Sequence, residues 1–215
     1  MRNSSLRLFL AFVFMVTAGD VSAQVGIGLT GSYELYTRHQ NPSSFQPDNL
    51  MASRSAGSAL STFGLGPKIW IGVKKFSISV EGQAQLAPLA FSVSDAKGLG
   101  AVSFPIMGFL NFGGTSAFDN IGKPGVSVGG GLQYTRTELF GLSESFADQG
   151  VTRDFYKTYV IQLTLGGGLN GFAGGLYVRY GFNPDLDGAS NIHIGVQTDF
   201  NFVMLIKIHK PESSL

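Results

Sequence analysis

Cysteine is absent from the 215 residues of the chain. This absence excludes a disulfide scaffold, a thiol enzyme, a cysteine-ligated zinc site and a lipoprotein anchored through an N-terminal cysteine. Charged residues are also scarce at 13%, about half the roughly 25% that is usual in soluble domains. The formal net charge of +1 gives no electrostatic basis for a nucleic-acid partner.

Glycine and apolar residues are abundant instead. The chain has 30 glycines, 44% hydrophobic residues and 12% aromatic residues. A chain this apolar is not disordered, because it has enough hydrophobic surface to offset the entropy of folding. After the N-terminal segment, no apolar run is long enough for a membrane-spanning helix.

The N-terminus has the pattern of a secretory signal peptide. Arg2 and Arg7 supply positive charge, residues 6–16 (LRLFLAFVFMV) are almost entirely apolar, and residues 21–23 (VSA) are small. We therefore predict cleavage after Ala23. The alternative, an N-terminal membrane anchor, is disfavoured because the apolar run is shorter than the ~20 residues that a spanning helix needs. The predicted division is a signal peptide over 1–23 and one domain over 24–215.

The predicted domain alternates between apolar and polar or small residues. The longest such segment, residues 192–208, carries apolar residues at nearly every even position and His193 and Gly195 among its odd positions. A helix would mix the two sets on every face, whereas a strand separates them. The same pattern predicts eight strands, at 25–35, 63–73, 76–86, 102–112, 126–134, 159–165, 176–182 and 192–208.

Two architectures use strands of this kind. A soluble sandwich buries the large apolar residues between two sheets, whereas a membrane barrel turns them toward lipid and keeps glycine and polar residues inside. Strand length and the small, glycine-rich polar face favour the barrel. Loop lengths favour it too, because long connections (37–60 and 137–153) broadly alternate with short ones (74–75 and 170–171). The predicted fold is all-β, a closed eight-stranded antiparallel up-and-down transmembrane β-barrel with both termini in the periplasm.

Two further patterns agree with this topology. A two-residue turn at 74–75 would pair Ile71 with Ile78 and Ile69 with Val80 on the lipid face, and Lys68 with Glu81 inside. All seven tyrosines fall in the external halves of the predicted strands, so we predict that they mark the outer membrane interface. They are Tyr33, Tyr36, Tyr134, Tyr156, Tyr159, Tyr177 and Tyr180.

Alternation also assigns the charged residues to the lumen. The inward set is Glu34, Lys68, Glu81, Arg179 and Asp199. Such a set could form an ion path or a catalytic carboxylate pair. We favour a salt-bridge and hydrogen-bond network, which the burial of polar groups requires in any case. The inward apolar candidates are Trp70, Met107, Phe109 and Val160.

Histidine is the natural candidate for catalysis at the rim. Only His193 is suitably placed, because His39 falls in the first predicted loop and His209 in the C-terminal tail. Its sequence neighbours offer no nucleophile, and Ser190 would reach it only through the loop. A general base must contact the proton that it removes, so we predict no catalytic residue.

The segment 183–188 (NPDLDG) resembles the start of a calcium loop, with oxygen donors at Asn183, Asp185 and Asp187. Ile194 stands where the closing glutamate of that pattern would be. An Asp- and Gly-rich turn is therefore the favoured interpretation, and calcium binding stays open. We predict no metal and no cofactor.

At this level the chain resembles the small eight-stranded outer-membrane proteins, which include the OmpA transmembrane domain, OmpX and the PorT-like β-barrel family. The resemblance implies residence in the outer membrane of a Gram-negative bacterium. It further implies a porin-like fold with a plugged lumen and a structural or binding role carried by external loops. The resemblance to the PorT-like family implies an accessory role in a cell-envelope secretion or surface-assembly complex. Outer-membrane lipid and other envelope proteins are the expected partners. The alternatives are a rim-active lipid-modifying enzyme and a conduit for small hydrophobic molecules.

Overall fold

The computed structural model describes residues 23–91, 98–118, 122–169, 171–186 and 188–204. Nine antiparallel strands make up most of this part of the chain. They are β1 (Gln24–Gln40), β2 (Ser55–Val73), β3 (Phe76–Gly82), β4 (Ala84–Phe91), β5 (Leu99–Gly113), β6 (Lys123–Thr137), β7 (Tyr156–Leu169), β8 (Phe172–Phe182) and β9 (Ser190–Asn201).

The described helical segments are short. They include three 3-10 segments, Ser43–Phe45, Asp48–Arg54 and Gly114–Ser116, and a four-residue helix, α1 (Glu144–Ala147). Residues 202–204 are helical as well. None of the described helices is long and apolar enough to cross a membrane.

The sheet closes on itself because β1 pairs with both β2 and β9. β3 and β4 follow one another along the same position in the ring, because each of them pairs with β2 on one side and with β5 on the other. The nine segments therefore fill eight positions of an antiparallel ring. Closure leaves no open sheet edge, as lipid requires of any sheet that crosses it. The predicted eight-stranded barrel is confirmed.

The predicted register of the first hairpin is also confirmed. Lys68 lies opposite Glu81, Ile69 opposite Val80 and Ile71 opposite Ile78. At the second tight turn, pairing runs up to Leu169 opposite Phe172. Gly171 has a φ of 83° there, which two-residue hairpin turns favour and which glycine adopts readily; Asn170 lies outside the described residues.

The two faces of the wall have opposite chemistry. Outward positions carry large apolar side chains that stay exposed, such as Ile106 at 56% and Ile161 at 60%. Inward positions carry Ser, Thr, Asn, Gln and charged side chains that are buried. Glycine at inward positions lets neighbouring strands come close, since a Cβ on Gly131 would collide with the Ile106 carbonyl oxygen. This arrangement, apolar outside and polar inside, is that of a transmembrane barrel.

Several predicted strand limits were wrong. β1 continues to Gln40 and β2 begins at Ser55, so the first long connection is only 41–54 instead of 37–60. The last strand ends at Asn201, residues 202–204 are helical, and 205–208 lie outside the described residues. The reason is the loss of a neighbour: β8 begins at Phe172, which pairs with Phe200, so nothing continues the ladder on that side.

The predicted strand 76–86 is interrupted at Gln83 and then continues to Phe91. Regular pairing with β5 lapses between Ala87 and Phe91. Pro88 lies in this stretch and has no N–H to donate to a ladder, which accounts for a local irregularity. Alternation alone does not reveal such an interruption.

The lipid-facing surface generates a depth-dependent prediction. Leu163 lies midway along β7 and is 47% exposed, whereas Leu169 ends the strand and is 65% exposed. We expect Leu163→Arg to lower the free energy of unfolding by about 2–4 kcal/mol and Leu169→Arg by about 0–1 kcal/mol. Urea unfolding in lipid vesicles measures both values. Equal costs at the two positions would contradict the membrane placement of β7.

Candidate functional site

A three-residue charge cluster lies in the lumen. Lys68 of β2 places Nζ 2.8 Å from Oε2 of Glu81 on β3 and 2.7 Å from Oδ2 of Asp199 on β9. The three side chains are no more than 9% exposed. The ammonium also lies 5.0 Å from the ring centroid of Phe109 and 5.4 Å from that of Trp70. Opposite charge therefore satisfies Lys68 on one side and aromatic faces on the other.

A second cluster is centred on Glu34 of β1. Its Oε2 lies 2.9 Å from Nδ1 of His193 and accepts a hydrogen bond from the Thr37 hydroxyl at 2.5 Å. Its Oε1 accepts a bond from the Tyr177 hydroxyl at 2.8 Å. The other ring nitrogen of His193 lies 3.1 Å from Nε2 of Gln133. Both His193 nitrogens are therefore engaged, and neither contacts a hydroxyl nucleophile among the described residues.

Glutamine side chains connect the two clusters. Arg179 donates from Nε to Gln162 at 2.8 Å and from Nη1 to Gln85 at 3.1 Å and to Gln133 at 3.3 Å. Gln162 in turn donates to Gln197 at 2.8 Å, and Gln197 donates to Oε2 of Glu81 at 2.9 Å. All five predicted inward charges thus belong to one polar network.

Alternation placed the glutamines of this network on the polar faces of the strands, but the sequence reasoning did not predict that they bridge the charges. An amide both donates and accepts, so it can join a cation to an anion through a buried bridge. Inward position on a strand together with an amide side chain is the pattern that could have identified them.

The predicted inward apolar residues are buried as expected. Met107, Phe109 and Val160 form one cluster in the bore. A void beside them has a volume of about 10 Å³ and is lined by Lys68, Asp199 and their neighbours. That is room for at most about one water molecule.

The short-turn end of the barrel is covered by residues 114–118. The Ser116 carbonyl accepts a hydrogen bond from Ser77 Oγ at 2.9 Å, and Ser116 Oγ donates to the Lys74 carbonyl at 2.6 Å. Phe118 packs with Trp70, and Met204 packs against the same cluster. The connection that follows β5 is therefore longer than the tight turns at 74–75 and 170–171, because it packs inward over the bore.

The two long connections at the opposite end are joined to each other. We call residues 41–54 and 138–155 the loop cap. Arg153 pairs with Glu138 at 2.7 Å and donates from Nη2 to Gln46 at 3.3 Å. The Thr152 amide donates to the Phe45 carbonyl at 2.8 Å. Contacts between segments so distant in sequence hold the cap as one layer over this end of the bore.

The tyrosine prediction was correct in part. Tyr36, Tyr134, Tyr159 and Tyr180 are 39–47% exposed on the outer face, and Tyr33 also points outward. Tyr177 and Tyr156 were wrongly assigned to the lipid interface: both are at most 2% exposed and face inward. Tyr177 occupies an inward position of β8, where its hydroxyl binds Glu34.

His39 was wrongly placed in a loop. It lies near the end of β1, is 2% exposed, and its ring centroid lies 5.2 Å from that of His193. Ser190 donates to Gln40 at 3.4 Å and has no bond to His193. His209 lies outside the described residues.

The possible calcium donors are arranged as a turn. Asn183 Oδ1 accepts a hydrogen bond from the Asp185 amide at 2.8 Å, which is an Asx turn. Asp187 lies outside the described residues, so calcium binding stays an open prediction. Among the described residues, no group of three or more His, Cys, Asp or Glu could hold a metal ion.

Closure, strand number and the apolar exterior together define the class of this protein, a transmembrane β-barrel of the outer-membrane type. No protein-family model and no curated protein matches the sequence. Among the solved structures that are similar to the chain are three outer-membrane or surface proteins.

The three similarities are distant. Neisserial surface protein A (NspA) has a TM-score of 0.46 and 10% identity, over 84% of this chain and 99% of that chain. Ail, the attachment invasion locus protein of Yersinia pestis, crystallised with the heparin analogue sucrose octasulfate, has a TM-score of 0.43 and 9% identity, over 82% and 98%. The outer membrane protein OprG from Pseudomonas aeruginosa has a TM-score of 0.39 and 11% identity, over 83% and 95%.

The charge cluster of Lys68, Glu81 and Asp199 leads to a stability prediction. We expect Lys68→Ala to lower the free energy of unfolding by about 3–5 kcal/mol, because Glu81 and Asp199 are left buried without their cation. Lys74→Ala removes the same charge from an exposed turn and should change stability by less than about 0.5 kcal/mol. Urea unfolding in vesicles compares them. A Lys68 variant as stable as the parent would show that the cluster contributes nothing to the fold.

Proposed function

We propose that the protein is a non-conducting, non-enzymatic barrel of a Gram-negative outer membrane, exported by a signal peptide that is cleaved after Ala23. Support for a plugged lumen comes from the polar network and the apolar cluster that lie inside the described barrel. The void beside Lys68 has a volume of only about 10 Å³. Residues 114–118 cover one end of that bore and the loop cap covers the other.

The loop cap carries the proposed function, which is binding. The main observation is the Arg153–Glu138 ion pair, which is nearly buried within the cap, with side-chain exposures of 3% and 1%. Loops that are fixed on a rigid scaffold lose little entropy on binding and are where such folds hold their specificity. The cap also presents an exposed aromatic ring, Phe140, at 61%. An envelope protein is the proposed partner, and an accessory role in a secretion or surface-assembly complex is its proposed context.

The two alternative functions have less support. A hydrophobic conduit needs an apolar passage, whereas the described lumen is lined mainly by polar side chains and its apolar residues pack together or against Lys68. A lipid-modifying enzyme needs a base beside a nucleophile, whereas His193 is bonded to Glu34 and Gln133.

Conductance tests the lumen. In planar bilayers we expect neither the parent nor Lys68→Ala to give steady channels, since removing one side chain leaves both ends covered. Large steady channels in the parent would contradict the plugged lumen. Such channels in Lys68→Ala alone would indicate a gated pore instead.

Photocrosslinking in intact cells tests the binding surface. We expect a photoreactive residue at Phe140 to give a protein adduct of defined mass, because this ring is exposed on the cap. The matched control is the same residue at Lys75, which is exposed at the short-turn end and should not give that adduct. If no cap position gives a protein adduct, the loop cap is not a protein-binding surface.

A further inference from the structure

Near the long-loop end, the charged residues on the outward face of the described strands are all cations. The acidic residues of the described strands, Glu34, Glu81 and Asp199, all point into the lumen. Outward at the long-loop end stand three cations, Arg38, Arg136 and Lys157. A cation on a lipid-facing surface is costly unless it reaches the headgroup layer. The depth of these side chains therefore corresponds to headgroups.

Each outward cation is accompanied by a tyrosine. Tyr36 precedes Arg38, Tyr134 precedes Arg136 and Tyr159 follows Lys157, each by two residues. Residues two apart on a strand share a face. The Lys157 ammonium lies 5.1 Å from the Tyr159 ring centroid. Ring and cation thus form a unit whose apolar part faces lipid and whose polar part faces the membrane surface.

Two of these units are adjacent. Lys157 lies directly opposite Tyr134 in the β6–β7 register. Arg136, two residues beyond Tyr134, is therefore the diagonal neighbour of Lys157, at a Cα distance of about 7–8 Å. This spacing lets the ends of both long side chains converge on a single anion.

Neither cation has an anionic partner within the described chain. Arg136 Nε is buried without a hydrogen-bond partner. The Lys157 ammonium contacts a ring, and no described carboxylate pairs with it or with Arg136. Two neighbouring, uncompensated positive charges at headgroup depth favour an anion supplied by the membrane.

We propose that Arg136 and Lys157, with Tyr134 and Tyr159 as the flanking wall, bind the phosphomonoester headgroup of a membrane lipid. A phosphomonoester carries a charge of about −1.5 to −2 at neutral pH and several acceptor oxygens, which match two cations. A phosphodiester carries a single negative charge and therefore matches only one cation. Arginine contributes a fork of donors to such a group and lysine a point charge. The site requires only that the barrel stands in a bilayer, so it does not depend on the proposed role of the loop cap.

Native mass spectrometry of the detergent-solubilised protein tests this site. The probes are phosphatidic acid, which has a phosphomonoester, phosphatidylglycerol, which has a phosphodiester, and phosphatidylcholine, which has no net charge. We expect phosphatidic acid to bind most tightly. Arg136→Gln combined with Lys157→Gln should weaken that binding about 25-fold, which corresponds to about 1 kcal/mol for each cation. The charge-conserving pair Arg136→Lys and Lys157→Arg should retain most of the binding.

A control variant, Lys75→Gln, and a competitor, inorganic phosphate, distinguish this lipid site from nonspecific charge and from a free-phosphate site. Lys75→Gln removes one charge at the short-turn end and should leave phosphatidic acid binding unchanged. Inorganic phosphate should compete poorly, because it lacks the acyl chains that the tyrosine wall contacts. The proposal is wrong if the three lipids bind equally to the parent, or if the double glutamine variant binds like the parent. Equal competition by inorganic phosphate would show a free-phosphate site rather than a lipid site. If the double variant does not assemble, the lipid ranking on the parent alone still decides.

Discussion

The closed ring of backbone hydrogen bonds is the constraint on which the rest of this structure depends. Each peptide group inside hydrocarbon must pair within the protein, since an unpaired one costs several kcal/mol. β1 meets this requirement by pairing with β2 and β9 at once. Closure fixes which side chains face lipid, because a register shift by one residue would exchange the two faces of a strand.

The same closure explains the chemistry of the lumen. An eight-stranded bore is so narrow that side chains fill it, and side chains removed from water must satisfy one another. The chain meets this demand with two charge clusters joined through amides: Lys68 is held by Glu81 and Asp199, and Glu34 by His193 and Tyr177. The described interior is therefore occupied by polar side chains that are bonded to one another.

Much of the fold could be predicted from alternation alone. Parity assigned Lys68 and Arg179 to the lumen, and the two-residue turn fixed the pairing of Ile71 with Ile78. The alternation of inward and outward residues is set within each strand and does not depend on where the loops begin, which is why these assignments were correct. The limits of the strands were not predictable, since they depend on whether a neighbouring strand is still present. β9, for example, ends at Asn201 because its neighbour β8 begins at Phe172, which pairs with Phe200. The covering of the ends escaped prediction as well. It brings together residues distant in sequence, such as Thr152 with Phe45 and Phe118 with Trp70, and no periodicity encodes such contacts.

The pairing of β1 with β9 has a consequence for biogenesis. β1 gains its second neighbour only when β9, the last of the described strands, is in place, so the ring of described strands cannot close while any of them is missing. Until then two unpaired edges stand open, and open edges recruit other chains into aggregates. A shortened chain that ends before Ser190 keeps both edges exposed. Such a chain therefore differs from the closed barrel in its two unpaired edges.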